Sequence, residues 1–167
     1  MTAGLGLSPD AGAFAASLRI RPAGEQDAGR ITELESEIFS DAWSRASVES
    51  HLAGRVNLAL AAEAEGSRVI GYLLGMKVLD EAEIYRVAVD PAARRSGIGG
   101  RLLEAFLSEV SPAGTAPEEP VTVSLEVRAG NTPAIRMYEK AGFRKTGTRK
   151  EYYRDPTEDA VLMRLEV

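Results

Sequence analysis

Val87-Ala88-Val89-Asp90-Pro91-Ala92-Ala93-Arg94-Arg95-Ser96-Gly97-Ile98-Gly99-Gly100-Arg101 reads in order as an apolar strand, a turn, an arginine pair, a glycine cluster and the start of a helix. Glycines at a helix N-terminus leave backbone N–H groups uncovered, where the helix dipole already favours negative charge. The flanking arginines add forked donors suited to phosphate oxygens. The element is therefore expected to hold a pyrophosphate, which points to a nucleotide-bearing cofactor. The dinucleotide fingerprint G-x-G-x-x-G is excluded because Leu102 stands where its last glycine belongs. The kinase and ATPase loop G-x-x-x-x-G-K-[ST] occurs nowhere in the chain.

The rest of the chain supplies an α/β frame for this loop. A first strand covers residues 18–21 and is stopped by Pro22. Ile31, Leu34 and Ile38 recur at helical spacing within residues 27–39, and Ser44 or Ser47 caps a second helix that ends near Gly54. Apolar runs at 56–62 and 69–79 flank a Glu65-Gly66-Ser67 turn, and residues 83–89 form the strand that enters the loop. Ile98, Leu102, Leu103, Phe106, Leu107 and Val110 make one helical stripe, expected to pack on a sheet. Residues 111–120 hold three prolines and read as a surface loop. Val121, Val123, Leu125 and Val127 alternate with Thr122, Ser124 and Glu126, so Glu126 falls on the polar face of a strand. Thr132 is placed to cap the next helix with Pro133 in its first turn, and Gly142 closes it. Apolar segments at 146–153 and 160–167 suggest a final antiparallel pair.

Composition narrows the function. The chain has 167 residues, 44% of them hydrophobic and 27% charged, as expected of one domain. Residues 1–17 are rich in Ala and Gly without Lys or Arg; they read as a flexible tail rather than a secretory signal, leaving a domain over 18–167 and a cytoplasmic protein. A net charge of −5 argues against direct nucleic-acid binding and suits a cationic acceptor. No stretch is apolar enough to suggest a membrane span. The absence of cysteine removes thiol nucleophiles and Cys-based zinc sites, and the single histidine, His51, reads as a surface residue outside any ligand set, so no metal is expected.

Arg94-Arg95-Ser96-Gly97-Ile98-Gly99, placed after Val-Ala-Val-Asp-Pro, matches [Q/R]-x-x-G-x-[G/A] and resembles the acetyl-coenzyme-A loop of the GNAT acetyltransferase superfamily. Residues 79–83, 87–91, Leu125-Glu126-Val127-Arg128-Ala129-Gly130-Asn131, Met137-Tyr138-Glu139-Lys140-Ala141-Gly142-Phe143 and Tyr152-Tyr153 are similar to the RimI-like branch, the ribosomal-protein-alanine N-acetyltransferases. Phe39-Ser40-Asp41-Ala42-Trp43-Ser44 resembles that branch's Phe-x-x-Pro-Trp-Ser, with Ala42 in place of proline.

The resemblance implies a GNAT fold, a mixed, mostly antiparallel twisted sheet flanked by helices. It implies acetyl-CoA as co-substrate and a protein or peptide N-terminus, alanine on a ribosomal protein, as acceptor. It assigns Glu126 as general base and Tyr138 as the acid that protonates the departing thiolate. Val87, Ala88, Val89, Arg94, Arg95, Ser96, Gly97, Ile98, Gly99, Gly100 and Asn131 bind the cofactor, and Tyr152 and Tyr153 close over the acceptor. A bulge in the strand carrying Val87–Val89 is expected to free backbone N–H groups toward the cofactor. Without cysteine, transfer is direct in a ternary complex. Structural alternatives stay open at this level: Glu126 paired with Arg128 or Arg149, Tyr138 packed beside Ile135, Asn131 as a helix-start residue, and Tyr152-Tyr153 as an exposed strand end. So do a lysine or small-amine acceptor and a non-catalytic coenzyme-A-binding or ribosome-associated module.

Overall fold

The computed structural model describes residues 18–111 and 120–167. The proposed tail, residues 1–17, and nearly all of the 111–120 loop lie outside the described residues. The strands are β1 (Arg19–Pro22), β2 (Asn57–Glu63), β3 (Val69–Val78), β4 (Glu81–Val89), β5 (Thr122–Arg128), β6 (Arg144–Tyr153) and β7 (Glu158–Glu166). The helices are α1 (Ala28–Ile38), α2 (Arg45–Leu52), α3 (Ile98–Val110) and α4 (Thr132–Lys140). The seven strands form one sheet in the order β1-β2-β3-β4-β5-β7-β6, antiparallel except for β4–β5. This is the element order expected from the sequence. No described helix is long and apolar enough to cross a membrane.

Helices cover the sheet on both sides, each through its own apolar stripe. Ile98, Leu102, Leu103, Phe106 and Val110 of α3 bury against Ile84, Val123, Leu125 and Val127, with Tyr138 and Phe143 in the same core. On the opposite face, Ala28, Ile31 and Leu34 of α1 and Val48 of α2 pack on Tyr72, Leu74 and Ala88. Burying a side chain of this size contributes about 1.5–3 kcal/mol, which is why these stripes dictate the layering.

The feature that makes a site is where the sheet comes apart. β4 pairs with β5 from Glu81–Thr122 to Ile84–Leu125 and no further, so the two parallel strands diverge beyond that point. On its other edge β4 changes register against β3 between Leu74 and Gly75, whose partners are Arg86 and Ile84. Tyr85 is thus the extra residue of a β-bulge, as expected for this strand. The bulge alters which side chains face which way. Before it, Ala82 and Ile84 point to α3. After it, Val87 and Val89 do, while Arg86 and Ala88 join Tyr85 on the α1–α2 side.

Two local expectations change. Asn131, not Thr132, caps α4: its side chain accepts from the Ala134 N–H at 3.3 Å, and Thr132 is already helical. Ser44 caps α2 by accepting from the Ser47 N–H at 3.1 Å, which decides between the two serines.

Candidate functional site

The strand-to-helix loop has the geometry the sequence suggested. Asp90 accepts from the Ala92 N–H at 3.0 Å and is held by Arg30 at 2.7 Å and Arg68 at 3.1 Å, which fixes the end of β4. Gly97 precedes α3 at φ +79 and offers no side-chain cap to the first-turn N–H groups. A Cβ built on Gly97 or Gly100 meets nothing within 4 Å, so the backbone at these positions is open to approach. Gly99 serves packing instead, since its Cβ would lie 3.0 Å from the Met137 sulfur of α4. The Ser96 hydroxyl turns away to the Ala93 carbonyl, and Ser96 does not line the adjoining cavity.

That cavity has a volume of about 1580 Å³. Of the residues assigned to the cofactor, Val87, Ala88, Val89, Arg94, Arg95, Gly97, Ile98, Gly99, Gly100 and Asn131 line it. Asn131 therefore both caps α4 and faces the cavity. Open backbone donors, a helix N-terminus and two arginines fit a pyrophosphate, and the apolar β4 residues fit a pantetheine arm. Gly97→Val is expected to weaken acetyl-CoA binding tenfold or more, about the worth of one lost hydrogen bond to a charged group. It places a β-branched residue at positive φ and a side chain over the donors. The check is the rise in melting temperature with acetyl-CoA concentration, and wild-type affinity in the variant removes the loop from the cofactor site.

Tyr138 reaches the cavity from α4. It is 6% exposed, packs edge-on to Phe143 at 5.6 Å, and burial pushes its phenol well above the ordinary range. Glu126, Tyr152 and Tyr153 are not part of the cavity wall. Glu126 sits on the β5 face opposite α3, with Leu162 as its partner on β7, and pairs with Arg149 at 3.2 Å. Arg128, the other candidate partner, bonds Glu158 instead. Bonding to Glu126 pushes the Tyr152 phenol up, and burial followed by the Glu126 charge pushes Tyr153 up to about 12.

These groups meet because β6 is irregular. Between the pairs Arg149–Ala160 and Tyr153–Glu158, three residues oppose Asp159 alone. Asp159 secures the irregularity by accepting from the Glu151 N–H at 2.9 Å and from Lys150 at 2.7 Å.

Arg128 then joins the two sides of the opening. It donates to the Ser40 hydroxyl at 3.1 Å and to the Pro156 carbonyl at 3.1 Å, and lies 4.3 Å from the centre of the Tyr153 ring.

Several contributors were not singled out from the sequence. Glu35 is fully buried, accepting from the Tyr72 hydroxyl at 2.5 Å and the Trp43 N–H at 2.8 Å. Arg86 lies between Glu35 at 3.6 Å and Asp41 at 3.1 Å, and over the Phe39 ring. Together they hold the α1–α2 loop beside the opening. A signal for Glu35 existed, because it is four residues from Ile31 on the buried stripe of α1. His51 is corrected: it is 7% exposed, not a surface residue, and meets Trp43 at 5.5 Å and Tyr85 at 5.8 Å edge-on.

A parallel pair of strands that part beyond a bulge, with an open glycine-rich helix start on one side and a carboxylate on the other, fits a coenzyme-A-dependent acyltransferase. The chain belongs to the acetyltransferase (GNAT) family, which it matches over residues 28–143. It is an acetyl-CoA-dependent N-acetyltransferase. It is 36% identical over 140 residues to the [ribosomal protein bS18]-alanine N-acetyltransferase of Salmonella typhimurium, covering 81% of this chain and 88% of that one. The N-alpha-acetyltransferase RimI of Mycobacterium tuberculosis is 36% identical over 144 residues, 83% of this chain and 85% of the relative. The crystal structure of the Escherichia coli ribosomal-protein-S18-alanine N-acetyltransferase superposes with a TM-score of 0.79 at 32% identity, covering 90% of this chain and 94% of that one.

Proposed function

We propose that this protein acetylates the α-amine of an N-terminal alanine on a ribosomal protein, in the cytoplasm and by direct transfer in a ternary complex. Two observations support the reading: Tyr138 lines the cavity beside the glycine-rich loop, and Glu126 lies on the other face of β5, beyond the last β4–β5 pair. The similarity to bS18-alanine acetyltransferases supports the choice of acceptor. When bound, acetyl-CoA supplies an acetyl group activated as a thioester. The loop from Arg94 to Gly100 holds its pyrophosphate, and Asn131 bonds its arm. The unpaired edge of β4 at Val87–Val89 offers backbone N–H groups to the thioester oxygen. Glu126 takes the proton of the acceptor amine, directly or through water, and Tyr138 gives a proton to the departing sulfur. Tyr152 and Tyr153 close over the acceptor's first residues and leave room for a small side chain.

An α-amine suits this arrangement better than lysine. Its pKa is about 8 against roughly 10.4, so far more of it is already nucleophilic at pH 7. A peptide beginning with alanine is expected to be acetylated faster than the same peptide blocked at its N-terminus and carrying an internal lysine. Thiol release with each peptide is the test, and a better blocked lysine peptide overturns the α-amine reading.

A further inference from the structure

We propose that Arg136 and Lys140 of α4 form a second phosphate site that takes the 3′-phosphate on the ribose of coenzyme A, and so select the full cofactor over its 3′-dephospho form. This rests on the cofactor reading of the glycine-rich loop and deepens it. Both residues are exposed, and both line the cavity onto which Gly97 and Gly100 open. They stand four residues apart on α4, so their side chains leave the same face of the helix. Met137, between them in sequence, packs on the first turn of α3: a Cβ on Gly99 would meet its sulfur at 3.0 Å. This contact sets α4 against the start of α3, beside the backbone donors proposed for the pyrophosphate. In coenzyme A one ribose separates the pyrophosphate from the 3′-phosphate. A second cationic group on the neighbouring helix suits that short spacing.

The positive charge on this wall exceeds what a pyrophosphate uses. Arg94, Arg95 and the start of α3 supply the donors for that group. Arg101 is tied to the Leu18 carbonyl at 3.2 Å, and Arg128 to Glu158 at 3.3 Å. Among the described residues Arg136 and Lys140 form no ion pair and no side-chain hydrogen bond, although the whole chain carries a net charge of −5. Glu104 is the one acid that α3 and α4 contribute to the cavity wall. Local helix energetics account for Lys140 alone, which sits in the last turn of α4, where a cation suits the helix dipole. Arg136 lies mid-helix, and like charges four residues apart repel and weaken a helix. An anion held between the two side chains turns that repulsion into attraction. A phosphate monoester carries about 1.5 to 2 negative charges at pH 7. Arginine meets it with a planar fork of donors and lysine with a point charge.

Coenzyme A and 3′-dephospho-coenzyme A differ only in that phosphate, and calorimetric Kd values for each, with no acceptor present, test the site. Wild-type protein is expected to bind coenzyme A about tenfold more tightly, near the worth of one hydrogen bond to a charged group. The double variant Arg136→Gln, Lys140→Gln should reduce that ratio to about twofold or less and leave the Kd of the dephospho form unchanged. Both side chains are exposed, so the ligand-free melting temperature of the variant should match wild type. Arg136→Glu alone should favour the dephospho form. A preference for coenzyme A that survives in the double variant, or that wild type lacks, overturns the proposal. If wild type binds both forms equally, only the second phosphate site fails. If it binds neither, the cofactor reading fails and the site with it.

Discussion

Glu126→Gln is expected to lower kcat at pH 7 by about 10²–10⁴-fold, the usual worth of a positioned base. The amide keeps the shape of the carboxylate but cannot take a proton. Acetyl-CoA binding should be retained, because Glu126 is absent from the wall of the cavity beside the Arg94–Gly100 loop. The deficit should also narrow as pH rises. An α-amine of pKa about 8 is only about one-tenth unprotonated at pH 7 and mostly unprotonated by pH 9, where a base is needed less. A pH–rate profile with an alanine peptide checks both statements. Wild-type turnover at pH 7 would remove Glu126 from the mechanism.

Tyr138→Phe should cost about 10²–10⁴-fold in kcat by removing only a hydroxyl. The ring keeps its edge-on contact with Phe143, so the core should survive and the melting temperature should change little. Burial favours the neutral phenol, the form that carries the proton to be given. Single-turnover measurement with preloaded acetyl-CoA separates the chemical step from binding. Full activity in the variant would return Tyr138 to a packing role.

Much of this was legible in the residues. The glycine-rich loop, the apolar stripe of α3 and the strict alternation of 121–127 are local patterns, and each appears as expected, with Val121, Val123, Leu125 and Val127 buried and Glu126 on the other face. What escaped depends on contacts distant in sequence. The bulge at Tyr85 was expected only by resemblance, because one extra residue in an apolar run leaves no compositional mark. His51 is buried only because Trp43 and Tyr85, from a loop and another strand, close on it. The cap of α4 was misplaced by one residue because Asn131 and Thr132 are both good caps, and the competition is settled by backbone geometry.

The gap between β4 and β5 divides labour in a way that bears on how such an enzyme changes over generations. On the helix side the loop presents open main chain at Gly97 and Gly100, which substitution away from those glycines alters little. On the other side the opening is framed by side chains such as Glu83, Tyr85, Arg149 and Tyr152, each replaceable by one codon change. A lineage can therefore vary that side while the loop's main-chain donors are inherited intact.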